Sequence, residues 1–217
     1  MYENFIIKKD YFIDVIKDLA FMVEEKRDYF TELDSQIGDG DHGINLSIGF
    51  REVSNKLSTW EGENITTLMK KLGMTLLGKV GGSSGPLYGS LFMKMGLPAE
   101  GKEEVDFNGF YEMFRAGIEA LEGRGKAVVG EKTMVDALRP GLDAFSQSIA
   151  NKEEPIIAFE KFLNSAKSGA ESTIPLRARK GRAMRLGERA VGHLDPGAAS
   201  SVCILETFYE NLLNYKG

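Results

Sequence analysis

The chain has 217 residues, of which 42% are hydrophobic and 27% charged, and this length and make-up suit one well-packed domain covering residues 1–217. A formal net charge of −5 argues against a general nucleic-acid or anionic-membrane surface, and a lone cysteine, Cys203, excludes a disulfide framework and a cysteine-based zinc site. No apolar run approaches the ~20 residues a bilayer span needs, and Met1–Phe5 lack a basic stretch followed by an apolar core, so the expectation is a cytoplasmic protein.

Asp10 can cap a first helix in which Phe12, Ile16, Leu19, Ala20 and Val23 recur at helical spacing, running to about Phe30. A second helix starts near His42 and carries Ile44, Ile48 and Leu57. The polar stretch from Trp60 to Asn64 reads as a turn, and Trp60 shows no functional pattern. Leu68, Leu72, Leu76 and Val80 mark a third helix at four-residue spacing. Gly81-Gly82-Ser83-Ser84-Gly85-Pro86 follows, with the proline suited to the first turn of a fourth helix reaching about Met95. The stretch from Pro98 to Asp106 reads as a connection. Phe107, Phe110, Met113, Phe114, Gly117, Ile118 and Leu121 lie along a fifth helix. A Gly/Lys-rich loop from Gly123 to Lys132 leads to a sixth helix that starts at Thr133 or a neighbour, and Pro140 should kink it or displace its start. Pro155 opens a seventh through Phe159, Phe162, Leu163 and Ala166. The basic, glycine-interrupted stretch from Arg177 to His193 has no assigned local structure. Asp195-Pro196 reads as N-cap and N1 proline of a last helix with Val202, Leu205, Tyr209 and Leu212; Cys203 lies among these apolar residues as a structural thiol. With no convincing period-2 run, the fold class is all-α with about eight helices.

One stretch carries unusual chemistry. Leu33-Asp34-Ser35-Gln36-Ile37-Gly38-Asp39-Gly40-Asp41-His42-Gly43 places three aspartates within eight positions. Carboxylates this close repel one another, and a hard divalent cation such as Mg²⁺ removes the conflict. The competing account is a solvated Asx-rich turn. Gly38-x-Gly40-x-x-Gly43 matches the dinucleotide fingerprint as a string but follows a helix where that fingerprint needs a strand. An EF-hand loop fails as well, because the twelfth position from Asp39 is Phe50 instead of glutamate. Gly73-x-x-x-x-Gly78-Lys79 nearly spells a Walker A loop, but Val80 stands where a magnesium-binding hydroxyl is required and the spacer continues a helical stripe.

Helices joined by short connections tend to run antiparallel. In an up-and-down arrangement the loops holding Asp39/Asp41/His42, Ser83/Ser84, Gly125/Thr133 and Arg182/Asp195 then fall at one end. Each feeds a helix N-terminus, where free N–H groups and the positive end of the helix dipole favour phosphate. Several such termini beside a carboxylate-bound metal and an arginine suggest a polyphosphate ligand.

The chain resembles the L, nucleotide-binding, subunit of bacterial dihydroxyacetone kinase. The resemblance rests on L-D-S-Q-I-G-D-G-D-H-G-I-N (33–45), V-G-G-S-S-G-P-L-Y-G (80–89), R-G-K (124–126), G-E-K-T-M-V-D (130–136), A-R-K-G-R (178–182) and L-G-E-R-A-V-G-H-L-D-P-G (186–197). It implies a barrel of eight antiparallel helices with ADP or ATP at one end, and two Mg²⁺ ions held by Asp34, Asp39 and Asp41. It also implies nucleotide contacts at His42, Gly43, Ile44, Asn45, Ser83, Ser84, Gly125, Met134, Arg182, Asp195, Pro196 and Gly197, with Thr133 beside them.

The implied reaction is phosphoryl transfer to a hydroxyl of dihydroxyacetone, which demands charge neutralisation, in-line positioning and exclusion of water. Arg182 is the candidate for stabilising charge on the transferred group, against a solvated basic residue. His42 is a candidate phosphate donor, against a helix-capping role. Met134 offers an apolar wall for adenine, against simple core packing. The implied partners are a separate K subunit that holds the sugar and a phosphotransferase-system component that rephosphorylates bound ADP in place. The alternatives are an ADP-sensing partner of a transcription factor, or a kinase subunit for another ketose or an acyl substrate.

Overall fold

The computed structural model describes residues 5–60 and 62–215. The reading of Met1–Asn4 as free of a signal segment, and Glu61 of the turn after Trp60, lie outside the described residues. Among those described, nine α-helices carry the fold: α1 (Lys9–Glu25), α2 (Arg27–Ile37), α3 (His42–Leu57), α4 (Ile65–Lys79), α5 (Ser84–Met95), α6 (Phe107–Gly125), α7 (Met134–Ala150), α8 (Pro155–Glu171) and α9 (Pro196–Asn214). The class is all-α. The one sheet among the described residues pairs β1 (Ile6–Lys8) antiparallel with β2 (Glu104–Asp106), setting Ile7 opposite Val105. Three residues per strand are too few for a period-2 signal to stand out.

The first predicted helix corrects to two. Its ladder breaks at Lys26 (φ −93°, ψ 7°) and resumes as α2, which runs past Phe30 to Ile37. The bend lets α1 pack on α3 and α9 while α2 packs on α3, α9 and the 3-10 turns of Arg182–Ala190. Asp34 therefore sits in a helix. Asp10 is a first-turn residue; the N-cap position belongs to Lys8, delivered by β1. Pro140 stays inside α7 without displacing its start, which Thr133 and Asp136 hold through a capping box. From α3 onward each helix packs on the next, and α9 returns to α1, which lies on α3, so the path of contacts closes.

Phenylalanines fill the middle. Phe145 stacks on Phe162 at 5.1 Å between ring centres, and Phe114 meets Phe208 edge-on at 5.0 Å, all within 2% of full burial. Gly73 and Gly89 let α4 and α5 approach closely: a methyl group on Gly73 would lie 2.6 Å from the Gly89 carbonyl oxygen. Gly73 thus belongs to a helix crossing, and the whole Gly73–Lys79 string lies inside α4, where no loop of free amides exists to cradle a phosphate. Gly73→Ala is expected to destabilise the chain by about 1–3 kcal/mol through overpacking. Thermal unfolding checks this, at roughly 2–4 °C for each kcal/mol in a chain of this size.

Candidate functional site

The end of α2 and the start of α3 build an acidic cluster. Asp34, in the last turn of α2, is buried, and its Oδ2 accepts from the amides of Asp41 (2.9 Å) and His42 (3.3 Å). It thereby caps the first turn of α3 from a distance in sequence. Between Asp39 and Asp41, Gly40 takes φ 72°, a left-handed turn that an ordinary side chain resists. Ligand oxygens of Asp34, Asp39 and Asp41 all lie within 4.8 Å of one another. The Arg182 guanidinium ion-pairs with Asp39 and, at 3.0 Å, with Asp41 Oδ2. Three carboxylates with no sulfur or imidazole nitrogen among them form an oxygen-only donor set, which fits a hard cation such as Mg²⁺ and not a soft one.

These aspartates stand at the edge of a cleft of about 420 Å³. The loops ahead of α3, α5, α7 and α9 all reach its wall, so four helix N-termini converge there. Gly81–Ser84 form one side, with Gly82 at φ 66°. Pro86, Leu87, Leu121, Ala127, Met134 and Val135 give it an apolar side. Asp195, Pro196 and Gly197 also line it, with Gly197 against Met134, and Asp195 Oδ2 accepts from the Ala198 amide at 2.8 Å as the cap of α9. Burial pushes the Asp195 carboxyl up to about 7, against the pull of its own cap bond and of Lys132.

Of the predicted site residues, Ser83, Ser84, Gly125, Thr133, Met134, Arg182, Asp195, Pro196, Gly197, His42 and the three aspartates line this cleft. Gly43, Ile44 and Asn45 do not. Gly43 lies against Arg27 and Thr31 of α2, Ile44 is exposed, and the Asn45 amide abuts Gly81.

His42 is only 7% exposed, and both its ring nitrogens are engaged: Nδ1 with Ser84 Oγ at 3.1 Å, Nε2 with Ser200 Oγ at 2.9 Å. The chain of hydroxyls continues from Ser200 to Tyr88 (2.7 Å) and on to Ser201 (3.0 Å). Burial lowers the imidazole to about 4, so it is neutral at pH 7. A neutral ring held at both nitrogens ties the α5 loop to α9. It makes no cap for α3, a task that falls to Asp34.

Sequence reasoning missed Arg124, Lys132 and Lys180 as lining residues. Lys132 is 1% exposed; it falls inside the stretch 130–136 that carries the resemblance, where only Thr133 and Met134 stood out as site residues.

Residues 36–210 match the family model described as DAK2 domain. The chain is 52% identical over 209 residues to a Listeria innocua protein named PEP-dependent dihydroxyacetone kinase 2, ADP-binding subunit DhaL, covering 95% of this chain and 96% of that one. It is 43% identical over 188 residues to the PTS-dependent dihydroxyacetone kinase, ADP-binding subunit DhaL, of Lactococcus lactis, covering 87% and 90%. Among solved structures it resembles the dihydroxyacetone kinase from C. freundii in complex with AMP-PNP and Mg²⁺, with a TM-score of 0.69 and 25% identity. That likeness takes in 91% of this chain and 33% of the other, so this chain spans about a third of that kinase. A family match over most of the sequence, and a relative this similar over nearly its whole length, lead to one conclusion: the chain belongs to the DAK2-domain family.

Proposed function

We propose that this chain is the nucleotide-binding subunit of a dihydroxyacetone kinase, passing a phosphoryl group from bound nucleotide to a sugar held on a separate K subunit. The observation that carries the reading is the convergence of four helix N-termini and three clustered carboxylates on one cleft with an apolar side. Such a cleft suits a ligand with a charged polyphosphate end and a flat apolar end. The names of the Listeria and Lactococcus relatives, and the ligands of the C. freundii kinase, support it.

In this reading Asp34, Asp39 and Asp41 hold two Mg²⁺ ions. When bound, the metal supplies neutralisation of phosphate charge. The amides of Gly81–Ser84, at the α5 terminus, receive phosphate oxygens, and His42 holds Ser84 in place for them. Gly125, Thr133, Met134 and Leu87 would enclose the base, with Asp195, Pro196 and Gly197 lining the cleft beside Met134. Arg182, already among the aspartates, balances negative charge on the group in transfer. The PEP- and PTS-dependence in the relatives' names fits a cleft that would keep ADP in place and take its phosphoryl group from a phosphotransferase-system protein. A cytoplasmic location goes with this reading; no helix among the described residues is long and apolar enough to cross a membrane.

Native mass spectrometry of the purified chain tests the site. The expected species is protein with ADP and magnesium retained, and EDTA should lower the melting temperature. A ligand at 100 times its dissociation constant adds about 2.7 kcal/mol. A bare chain with an EDTA-independent melting temperature that gains nothing from added Mg²⁺-ADP contradicts the site.

A further inference from the structure

We infer that Lys132 is a positioning residue, whose ammonium ties together the two ends of segment 174–193 and so fixes Arg182 over the aspartate cluster. The side chain is 1% exposed, and Nζ donates to the carbonyls of Thr173 (2.5 Å), Ile174 (3.5 Å) and His193. An ammonium has three protons, and three carbonyls take them. Lys132 therefore lines the cleft without a proton to spare for a phosphate.

The geometry around it is that of a closed neck. Gly192 N donates to Ile174 O at 2.8 Å and Asp195 N to Thr173 Oγ1 at 3.0 Å, so the outgoing and returning strands of chain meet where Nζ sits. Arg179 N donates to Glu131 O at 3.1 Å, adding one tie beside Lys132. Beyond the neck the segment rests on α2 through a small apolar cluster of Ile37, Ala178, Ala183 and Ala190 with Leu186 packed against it, and its polar ties are few: His193 Nδ1 meets Gln36 Oε1 at 2.9 Å and Arg177 pairs with Glu188 at 3.2 Å. Arg177, Arg179, Arg182, Arg185 and Arg189 are all exposed. Arg182 reaches Asp39 and Asp41 from this segment. Lys132 itself occupies φ 61°, a left-handed conformation that costs a lysine and that glycine takes freely.

The activity arm of the test rests on the reading of Arg182 given above; the proteolysis arm does not. In the intact chain with its sugar-bearing partner, Lys132→Met is expected to lower turnover on the order of 10²-fold, as misplacement of a catalytic group by about an ångström does. Arg182→Ala should lower it to a similar level, and the double variant should be no slower than Arg182→Ala alone, because one residue acts through the other. Trypsin should cut the Lys132→Met chain between Arg177 and Arg189 about tenfold faster, with the helical signal unchanged, and Lys132→Arg should slow that cutting again. Lys132→Gly removes both the clamp and the backbone strain, and stands in if Lys132→Met fails to fold. Multiplicative losses in the double variant overturn the proposal, as does a Lys132→Gly chain with parental turnover and protease resistance. If Arg182→Ala leaves turnover unchanged, the Arg182 reading fails, and the clamp stands or falls on the trypsin rates.

Discussion

Asp39→Ala and Asp41→Ala are each expected to abolish phosphoryl transfer while leaving the helices in place. Both carboxylates are about half exposed and take no part in the core, so little packing is lost with either. Removing one also relieves repulsion among three carboxylates whose oxygens lie within 4.8 Å, and the metal-free chain should be as stable as the parent or slightly more so. Metal and nucleotide affinity should fall together, and the rate by about 10³-fold or more, as when a principal charge-stabilising group is lost. Asp34→Ala should behave differently, because Asp34 also caps α3 through the Asp41 and His42 amides. Its loss should add about 1 kcal/mol of destabilisation typical of a missing cap. Calorimetric titration with Mg²⁺-ADP and chemical unfolding separate the two effects. An Asp39 or Asp41 variant that binds Mg²⁺-ADP like the parent removes that residue from the metal site.

The second large effect concerns the acceptor sugar. Given ATP, Mg²⁺ and free dihydroxyacetone, it should form essentially no product by itself. The cleft groups its chemistry around a polyphosphate: three clustered carboxylates, four converging helix N-termini and an apolar lining for a base. Lys132 is the buried amine nearest the site, and its protons are committed to backbone carbonyls, so it cannot serve as a carbonyl-trapping nucleophile. An acceptor hydroxyl meeting the phosphate only by collision forgoes ~7–11 kcal/mol available from positioning. That deficit should leave the isolated chain below any ordinary detection limit.

Much of this site was legible because its chemistry is local in sequence. Asp39, Gly40 and Asp41 announce a tight acidic turn, and Thr133 and Asp195 announce caps that the structure contains. The grouping of the four loops followed from helix order alone. Long-range pairings were not legible. His42 and Ser200 are 158 positions apart, and nothing near either marks the hydrogen bond that holds the histidine ring. Lys132 reads as one more surface charge until the 173–193 neck folds around it. The break at Lys26 leaves no mark in the sequence, because apolar spacing continues on either side and no glycine or proline stands there. Gly43, Ile44 and Asn45 entered through the resemblance and do not line the cleft: Gly43 packs on α2, Ile44 is exposed, and Asn45 sits behind Gly81.

Reconstitution tests the division of labour most directly. Dihydroxyacetone phosphate is measured with this chain alone, with the sugar-bearing K subunit, and with the K subunit plus a phosphoenolpyruvate-charged phosphotransferase donor. No product is expected in the first case. In the third, turnover should be sustained, with the same molecule of ADP staying on the chain through many cycles. Robust phosphorylation of free dihydroxyacetone by the isolated chain would contradict it and make this a self-sufficient kinase.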